Sequence, residues 1–211
     1  MSDVVVDDPQ KRMTFPNPML VVVSGPSGVG KSTIVAQLAR RHPQVVPIVT
    51  ATTRPRRNGE IHGVHYHFMR RDEFVALRDA GGLLEWAEVH GNLYGTPIDQ
   101  VRGILAAGRD AILTIDPQGA RQVRASVPDA LLVFVKPPSM EDLTRRLRKR
   151  GSESAESLAR RRRDAEHWMA DTDDYDHVVV NETGHPEEAA DLIWGIIQVE
   201  ARREPPRRPR I

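Results

Sequence analysis

The sequence predicts an α/β protein built on a doubly wound, mostly parallel sheet, and two observations carry this prediction. Short apolar runs recur along the chain without polar alternation, which is typical of central parallel strands covered on both faces. Segments with helical spacing of apolar residues separate these runs, and such strand–helix alternation indicates an α/β fold. At 211 residues the chain is long enough for one such domain with a small insertion.

The predicted elements follow the chain in a simple order. The predicted strands are residues 19–23, 111–115, 131–135 and 177–180. A helix is expected after the first strand, where apolar residues recur at helical spacing up to Pro43. Two later helices begin at typical N-termini, because Ser139 with Asp142 resembles a capping box and Pro186 suits a first helical turn.

Three parts of the chain depart from this alternation. Residues 50–96 contain glycines between short polar and aromatic runs, which indicates an inserted, strand-rich lobe. Residues 1–18 and 201–211 are polar and contain several prolines, so both are predicted to be flexible tails around a domain at 19–200. The predicted parts of that domain are a core at 19–49 and 97–200, the lobe at about 50–96, and an arginine-rich helical lid at about 140–165.

Composition excludes several classes of protein. The 30 basic and 29 acidic residues give a formal charge of +1, which disfavours a dedicated nucleic-acid binder. There is no cysteine, so a disulfide framework and a thiolate zinc site are both excluded. The N-terminus lacks the basic start and apolar run of a signal peptide, and no apolar run of roughly eighteen residues occurs. We therefore expect a cytoplasmic protein without a membrane or nucleic-acid partner, while the sequence leaves open whether it is a monomer or a homodimer.

The most specific motif is a glycine-rich loop between the first predicted strand and helix. This P-loop has the sequence Gly25-Pro26-Ser27-Gly28-Val29-Gly30-Lys31-Ser32. Its glycines let backbone N–H groups face phosphate oxygens, Lys31 adds positive charge, and the Ser32 hydroxyl suits magnesium. A chance match is disfavoured because the whole pattern stands between a strand and a helix. The loop does not identify the acceptor of the phosphoryl group, since GTPases, ATPases and small-molecule kinases share this loop.

The inserted lobe carries side chains suited to a phosphate dianion. Residues 50–60 place several arginines beside hydroxyl groups, and Tyr66 follows. Arginine forks and a tyrosine hydroxyl are typical phosphate ligands. His62, His65 and His67, two of which alternate on one strand face, also suggest zinc, but without cysteine or a clear fourth ligand we interpret them as polar surface.

From about Leu20 to about Asn181 the chain resembles the guanylate kinase family. Besides the P-loop, the motifs that carry the resemblance are Thr52-Thr53-Arg54 with Arg57-Asn58-Gly59-Glu60, Glu85-Trp86-Ala87, Tyr94-Gly95-Thr96, Asp116-Pro117-Gln118-Gly119, Pro137-Pro138-Ser139 and Arg150-Gly151-Ser152-Glu153. The resemblance implies an ATP-dependent kinase that converts GMP, and also dGMP, to the diphosphate in purine nucleotide metabolism. ATP and GMP would be the substrates and Mg²⁺ the cofactor.

The resemblance also implies a role for particular residues of this chain. The implied ATP ligands are Gly25, Pro26, Ser27, Gly28, Val29, Gly30, Lys31, Ser32, Thr33 and Asn181, with Ser32 also binding magnesium. The implied GMP ligands are Thr50, Arg54, Arg57, Tyr66, Glu85, Tyr94, Thr96 and Asp116. The implied catalytic residues are Lys31, Arg57, Arg146, Arg150 and Arg161. The other basic residues of the lid are interpreted as a solvated helix face.

The implied guanine ligands make chemical sense. A carboxylate at Glu85 accepts from guanine N1–H and the 2-amino group, while Thr96 can donate to O6, and adenine offers the opposite pattern. Such a polar site can reject a mismatched base by roughly four orders of magnitude. Taken singly, each residue also fits an ordinary role: Tyr66 and Tyr94 as strand aromatics, Glu85 as a solvated charge, and Thr96 as a helix N-cap before Pro97.

Three positions depart from the family pattern. Thr114 stands two residues before Asp116, where the family carries a second acid that helps to organise magnesium. Arg56 replaces a common proline, so Arg57 is the predicted phosphate ligand and Arg56 the alternative. Leu93 replaces a common aromatic residue.

Two other functions compete with the kinase. One is a catalytically weak scaffold module that binds phosphorylated peptides, which the intact P-loop disfavours. The other is a kinase of another phosphate ester, such as a ribose bisphosphate, which would need no ligand for guanine.

Overall fold

The computed structural model describes residues 17–89, 91–149 and 155–211. The strands are β1 (Leu20–Ser24), β2 (Val45–Pro47), β3 (Ala51–Thr52), β4 (His67–Phe68), β5 (Leu83–Val89), β6 (Asn92–Pro97), β7 (Asp110–Thr114), β8 (Leu131–Lys136) and β9 (His177–Val180). The helices are α1 (Lys31–Arg41), α2 (Arg71–Asp79), α3 (Ile98–Ala106), α4 (Pro117–Ser126), α5 (Met140–Lys149), α6 (Ala155–Ala170) and α7 (Pro186–Glu200). As predicted, Ser139 and Pro186 stand at the starts of α5 and α7.

The larger sheet has the strand order β2-β7-β1-β8-β9, and every neighbouring pair in it is parallel. All five residues of the central strand β1 are buried. Its side chains alternate between two cores: Val21 and Val23 pack with residues of α1 and α7, whereas Leu20 and Val22 pack with residues of α3 and α4. Helices therefore cover both faces of a parallel sheet, which confirms the predicted fold class.

The sequence did not predict β2, the edge strand of this sheet. It has three residues and pairs with β7 through Val45, Val46 and Pro47. So short an apolar run gives too weak a local signal, and a proline is tolerated because the strand lies at the edge.

The smaller sheet has the order β4-β3-β6-β5 and lies within the segment expected to be an inserted lobe. Strands β5 and β6 form an antiparallel hairpin, and α2 packs on them through its buried Phe74. Phe74, Ala51 and Leu93 form a small separate core, so the lobe has its own packing. On its surface, the rings of His62 and His67 meet edge to face at 5.6 Å.

Residues 201–211, predicted to be a flexible C-terminal tail, are mostly exposed but are anchored to the body of the protein at Arg207 and Ile211. The Arg207 side chain is only 5% exposed and donates to Glu200 Oε2 (2.7 Å) and to the Ala130 carbonyl (3.1 Å). Ile211 packs against the core beneath α3 and α4. The composition is that of a solvated tail, but a guanidinium can be buried where acceptors surround it. Most of the predicted N-terminal tail lies outside the described residues.

None of the helices in the described part of the chain is long and apolar enough to cross a membrane.

Candidate active site

A cleft of about 490 Å³ opens where β1 and β7 end, between the P-loop, the smaller sheet and α6. This is the carboxyl edge of a parallel sheet, where α/β proteins bind ligands. The predicted site residues that line it are Ser27, Gly28, Gly30, Lys31, Ser32, Thr33, Thr50, Arg54, Arg57, Tyr66, Glu85, Tyr94, Asp116 and Arg161. The fold thus brings together predicted site residues that are distant in the chain, with Ser27 and Arg161 separated by 134 residues.

The P-loop has the backbone that a phosphate site requires. Gly25 and Gly30 have φ values of 143° and 106°, and a Cβ on Gly25 would lie 2.2 Å from the Val135 carbonyl oxygen. Only glycine fits such positions. Lys31, the first residue of α1, donates from Nζ to the carbonyls of Gly25 (2.6 Å) and Pro26 (3.1 Å). The lysine charge and the positive end of the helix dipole therefore meet at the mouth of the loop.

Asn181, a predicted ATP ligand, supports the P-loop from behind. Its side chain is buried, and Nδ2 donates to the Val29 carbonyl at 2.7 Å. A Cβ on Gly30 would lie 2.4 Å from the same Nδ2 atom. Asn181 is therefore packed directly against the loop and does not line the cleft.

In the smaller sheet, Arg54 is held in place by its neighbours. Its NH2 group donates to Glu60 Oε1 at 2.7 Å, with side-chain exposures of 12% and 18%. The guanidinium carbon also lies 5.5 Å from the centroid of the Tyr66 ring, and Tyr94 hydrogen-bonds the same arginine. Burial raises the pKa of Tyr66, so its hydroxyl remains a donor at neutral pH.

Arg57 and Arg56 differ in position. Arg57 lines the cleft, and its backbone N–H donates to Glu60 Oε2 at 2.7 Å. Glu60 thus bridges Arg54 and Arg57, and the hydrogen bond from Arg54 is the main cause of its lowered pKa. Both arginines are exposed, but Arg56 is not among the cleft residues.

Glu85 and Thr96 form a buried pair on the hairpin of β5 and β6. The Thr96 hydroxyl donates to Glu85 Oε1 at 2.6 Å, and Glu85 is 5% exposed. Glu85 is therefore not a solvated charge, and Thr96 lies within β6 rather than capping α3. Because the Thr96 hydroxyl is fully buried and engaged, it holds Glu85 in place instead of pointing to a ligand.

The environment of Glu85 raises its pKa to about 7. Burial is the main cause, the negative charge of Asp116 adds to it, and the Thr96 hydrogen bond opposes it. Asp116 is the N-cap of α4, where its Oδ1 accepts from the Gly119 N–H at 2.9 Å. A Cβ on Gly119 would lie 2.7 Å from Glu85 Oε2, so the glycine lets α4 approach the carboxylate.

The lid helix α6 contributes one predicted residue and two that the sequence reasoning missed. Arg161 NH1 donates to Ser27 Oγ at 2.9 Å, which joins the helix to the P-loop. Asp164 and Trp168 also line the cleft. They follow Arg161 by three and seven residues, which places all three on one helix face, and this spacing was the available signal. Arg150 lies outside the described residues.

Arg146 does not reach the cleft lining. Its guanidinium donates to the carbonyls of Val29 (2.9 Å) and Asn181 (2.8 Å) and to Thr183 Oγ1 (2.8 Å). Burial, then the charge of Arg145, lowers its pKa. In this structure Arg146 supports the back of the P-loop, a position that motif spacing could not show.

Side chains with oxygen atoms suited to magnesium line the cleft. Ser32 lies in the first turn of α1, Thr114 ends β7 and Asp116 follows two residues later. Hydroxyl and carboxylate oxygens are ligands that Mg²⁺ accepts, together with substrate phosphates. The residues present therefore fit this ion, with Thr114 supplying a neutral oxygen where a second carboxylate would bind more strongly.

Comparisons with known proteins agree with this geometry. The sequence profile of the family described as "Guanylate kinase" matches residues 17–191. A protein named guanylate kinase from Thermobifida fusca is 49% identical over 191 residues, which cover 90% of this chain and 93% of that one. Another of that name, from Synechococcus sp. (strain JA-3-3Ab), is 50% identical over 163 residues, or 77% of this chain and 75% of the relative.

A solved structure shows the same relationship. The crystal structure of guanylate kinase from Anaplasma phagocytophilum superposes with a TM-score of 0.73 at 33% identity, covering 89% of this chain and 88% of that one. The matched profile covers most of the chain, including the P-loop, the smaller sheet and the lid. The chain belongs to the guanylate kinase family.

Proposed function

We propose that this protein transfers the γ-phosphoryl group of ATP to GMP, giving ADP and GDP, as a step of purine nucleotide metabolism. The observation that carries the proposal is the shared cleft, in which the P-loop faces the arginine and tyrosine side chains of the smaller sheet and the buried Glu85. We include dGMP as an acceptor, because the proposed contacts involve the base and the phosphate.

The donor triphosphate would bind at the P-loop. Backbone N–H groups of the loop and the N-terminus of α1 offer hydrogen bonds and a positive potential to its phosphates. Lys31 would exchange its contacts with Gly25 and Pro26 for phosphate oxygens. Ser32 and the phosphates would hold Mg²⁺, which neutralises part of the charge on the triphosphate.

The acceptor would bind across the smaller sheet. Arg54, Arg57, Tyr66 and Tyr94 line the cleft and offer guanidinium and hydroxyl donors to the GMP phosphate. Because Glu60 binds the guanidinium of Arg54, that side chain is positioned before the substrate arrives, and the same carboxylate holds the backbone of Arg57.

The guanine base would be recognised by carboxylates. Ionised Glu85 accepts from N1–H and the 2-amino group, and Asp116 and Thr50 lie on the same cleft. Thr96 acts through Glu85, which it holds by the 2.6 Å hydrogen bond. Adenine lacks the donors that these groups require, so AMP would leave a buried carboxylate unpaired.

In the transfer, a GMP phosphate oxygen forms a bond to the γ-phosphorus while the bond from that phosphorus to the β–γ bridging oxygen breaks. Such a reaction depends on alignment and on positive groups around the transferred phosphoryl. Lys31, Arg57 and Arg161 line the cleft, and they would face the phosphoryl group from the donor side, the acceptor side and the lid. Arg146 is assigned to the support of the P-loop, on the basis of its contacts with Val29 and Asn181.

A coupled assay of ADP release tests the proposal. ATP is supplied with GMP, dGMP, AMP, UMP or a ribose phosphate, and we expect turnover with GMP and dGMP. A protein that turns over none of the acceptors would be a binding module, and preferred turnover of a ribose phosphate would identify another substrate class.

A further inference from the structure

The C-terminal segment 201–211 lies beyond the family match, which ends at residue 191. Within it, Arg207 is as buried as a core residue, with 5% of its side chain exposed. Its guanidinium donates to Glu200 Oε2 (2.7 Å), to the Ala130 carbonyl (3.1 Å) and to Asp176 Oδ1 (3.1 Å). A charge held by three acceptors in a buried place fixes the groups around it.

Asp176 joins this segment to the lid. It ends the hinge segment, residues 171–176, which connects α6 to β9. While Oδ1 binds Arg207, Oδ2 accepts from Arg124 NH2 (2.7 Å) and from the Leu132 N–H (2.8 Å). The Asp176 N–H donates to the Leu132 carbonyl at 2.9 Å. The chain that returns from the lid is therefore anchored to β8 and to the C-terminal segment at one residue.

The preceding residue contacts the start of the P-loop. Tyr175 donates from its hydroxyl to Ser24 Oγ at 3.0 Å, and its ring packs edge to face on Phe134 at 4.9 Å. Ser24 is fully buried, ends β1 and directly precedes Gly25. Since Arg161 donates to Ser27, α6 contacts the P-loop itself, and the hinge segment contacts the residue directly before it.

We propose that Arg207 is a positioning residue for phosphoryl transfer: by fixing Asp176 it places the Tyr175 hydroxyl on Ser24 and holds the end of the lid against the P-loop. This inference rests on the proposed function. The described contacts of Arg207 and Asp176 lie in the larger sheet and its helices, not in the smaller sheet that would bind GMP. Loosening them should therefore lower kcat and leave the KM for GMP unchanged.

The test compares Arg207→Met with Arg208→Ala, which removes the exposed neighbouring arginine. Misplacement of reacting groups by about 1 Å can cost about a hundredfold in rate, and a loosened hinge should displace the loop by less. At an assay temperature well below the unfolding temperature of the variant, we expect Arg207→Met to lower kcat about tenfold. The KM for GMP should stay within about twofold of the wild-type value. Arg208→Ala should change neither.

A double-mutant cycle with Tyr175→Phe separates positioning from general support. If Arg207 acts through the Tyr175 hydroxyl, Arg207→Met should lower kcat less than about twofold in the Tyr175→Phe background. Amide hydrogen exchange provides a readout that needs no substrate: the Asp176 N–H should exchange faster in Arg207→Met than in wild type.

Two results would overturn the inference. One is a lowered unfolding temperature with unchanged kcat, which would make Arg207 a stabilising residue only; the other is an undiminished loss of kcat in the Tyr175→Phe background. If Arg207→Met does not fold, Arg207→Lys keeps the charge but loses the guanidinium fork, and an unchanged kcat there would also overturn it. If the proposed function is wrong, the wild-type protein itself shows no GMP-dependent turnover. The inference about Arg207 is judged instead by the ratio of the variant kcat to the wild-type kcat.

Discussion

Replacing Glu85 by glutamine tests how the protein selects its acceptor. The carboxylate is buried, and guanine would present two donors to it. Glutamine keeps the shape and the contact with Thr96 but removes the charge and turns one acceptor into a donor. One hydrogen bond from guanine is replaced by two donors facing each other and the other loses its charged acceptor, at about 1.5–2 kcal/mol for each change, which predicts a fall in kcat/KM for GMP of about 10²–10³-fold.

The same substitution should stabilise the unliganded protein above neutral pH. The pKa of Glu85 rises from an ordinary 4.5 to about 7 on folding, so the folded state holds more protons than the unfolded state between these pH values. As pH rises from 4.5 to 7, the free energy of unfolding of the wild type should therefore fall relative to that of Glu85→Gln. Above pH 7 it should stay lower. At pH 8 the difference should approach about 3 kcal/mol in favour of the variant, and at pH 4 it should vanish.

Both effects can be measured on the same proteins. Steady-state kinetics with saturating ATP give kcat/KM for GMP and AMP, and urea unfolding at several pH values gives the stability difference. Glu88→Gln is the matched control, because Glu88 lies on the same strand with 50% of its side chain exposed. Equal losses of GMP and AMP activity, or a stability difference that does not depend on pH, would refute the assignment of Glu85 as a buried guanine ligand.

Three further predictions test the other parts of the site. Lys31→Ala should lower kcat by at least about a hundredfold, because it removes the charge at the mouth of the P-loop, and turnover near the wild-type rate would contradict that role. Arg57→Ala should raise the KM for GMP about 10–100-fold, whereas Arg56→Ala should not, and the reverse order would exchange their roles. Thr114→Asp should lower the magnesium concentration that gives half-maximal rate, and an unchanged magnesium dependence would show that this position does not influence the ion.

The parallel core was predictable because its signal is local. Strands covered on both faces are mostly apolar, so β1, β7 and β8 are visible in the sequence with end positions accurate to about one residue. The edge strand β9 is half exposed, but its run of three valines shows its position equally well. The P-loop was equally clear, since its glycines, Lys31 and Ser32 follow one another directly.

The parts that the sequence did not show depend on distant partners. Arg207 looked like one residue of a solvated tail, and only the fold brings it to Ala130, 77 residues away. Arg146 looked like a phosphate ligand, but its partners Val29 and Asn181 are likewise remote in sequence. For Glu85, a solvated and a buried role were equally consistent with its neighbours along the chain. The packing of α4 at Gly119 is what separates them.

The most direct test of the two-substrate site is the fate of the transferred phosphoryl group. ATP labelled at the γ-phosphate is incubated with the purified protein, Mg²⁺ and either GMP or AMP, and the products are separated. We predict that the label appears in GDP with GMP present, and that transfer to AMP is roughly four orders of magnitude slower. Label released only as inorganic phosphate, or transferred equally well to AMP, would contradict a guanine-selective phosphotransferase.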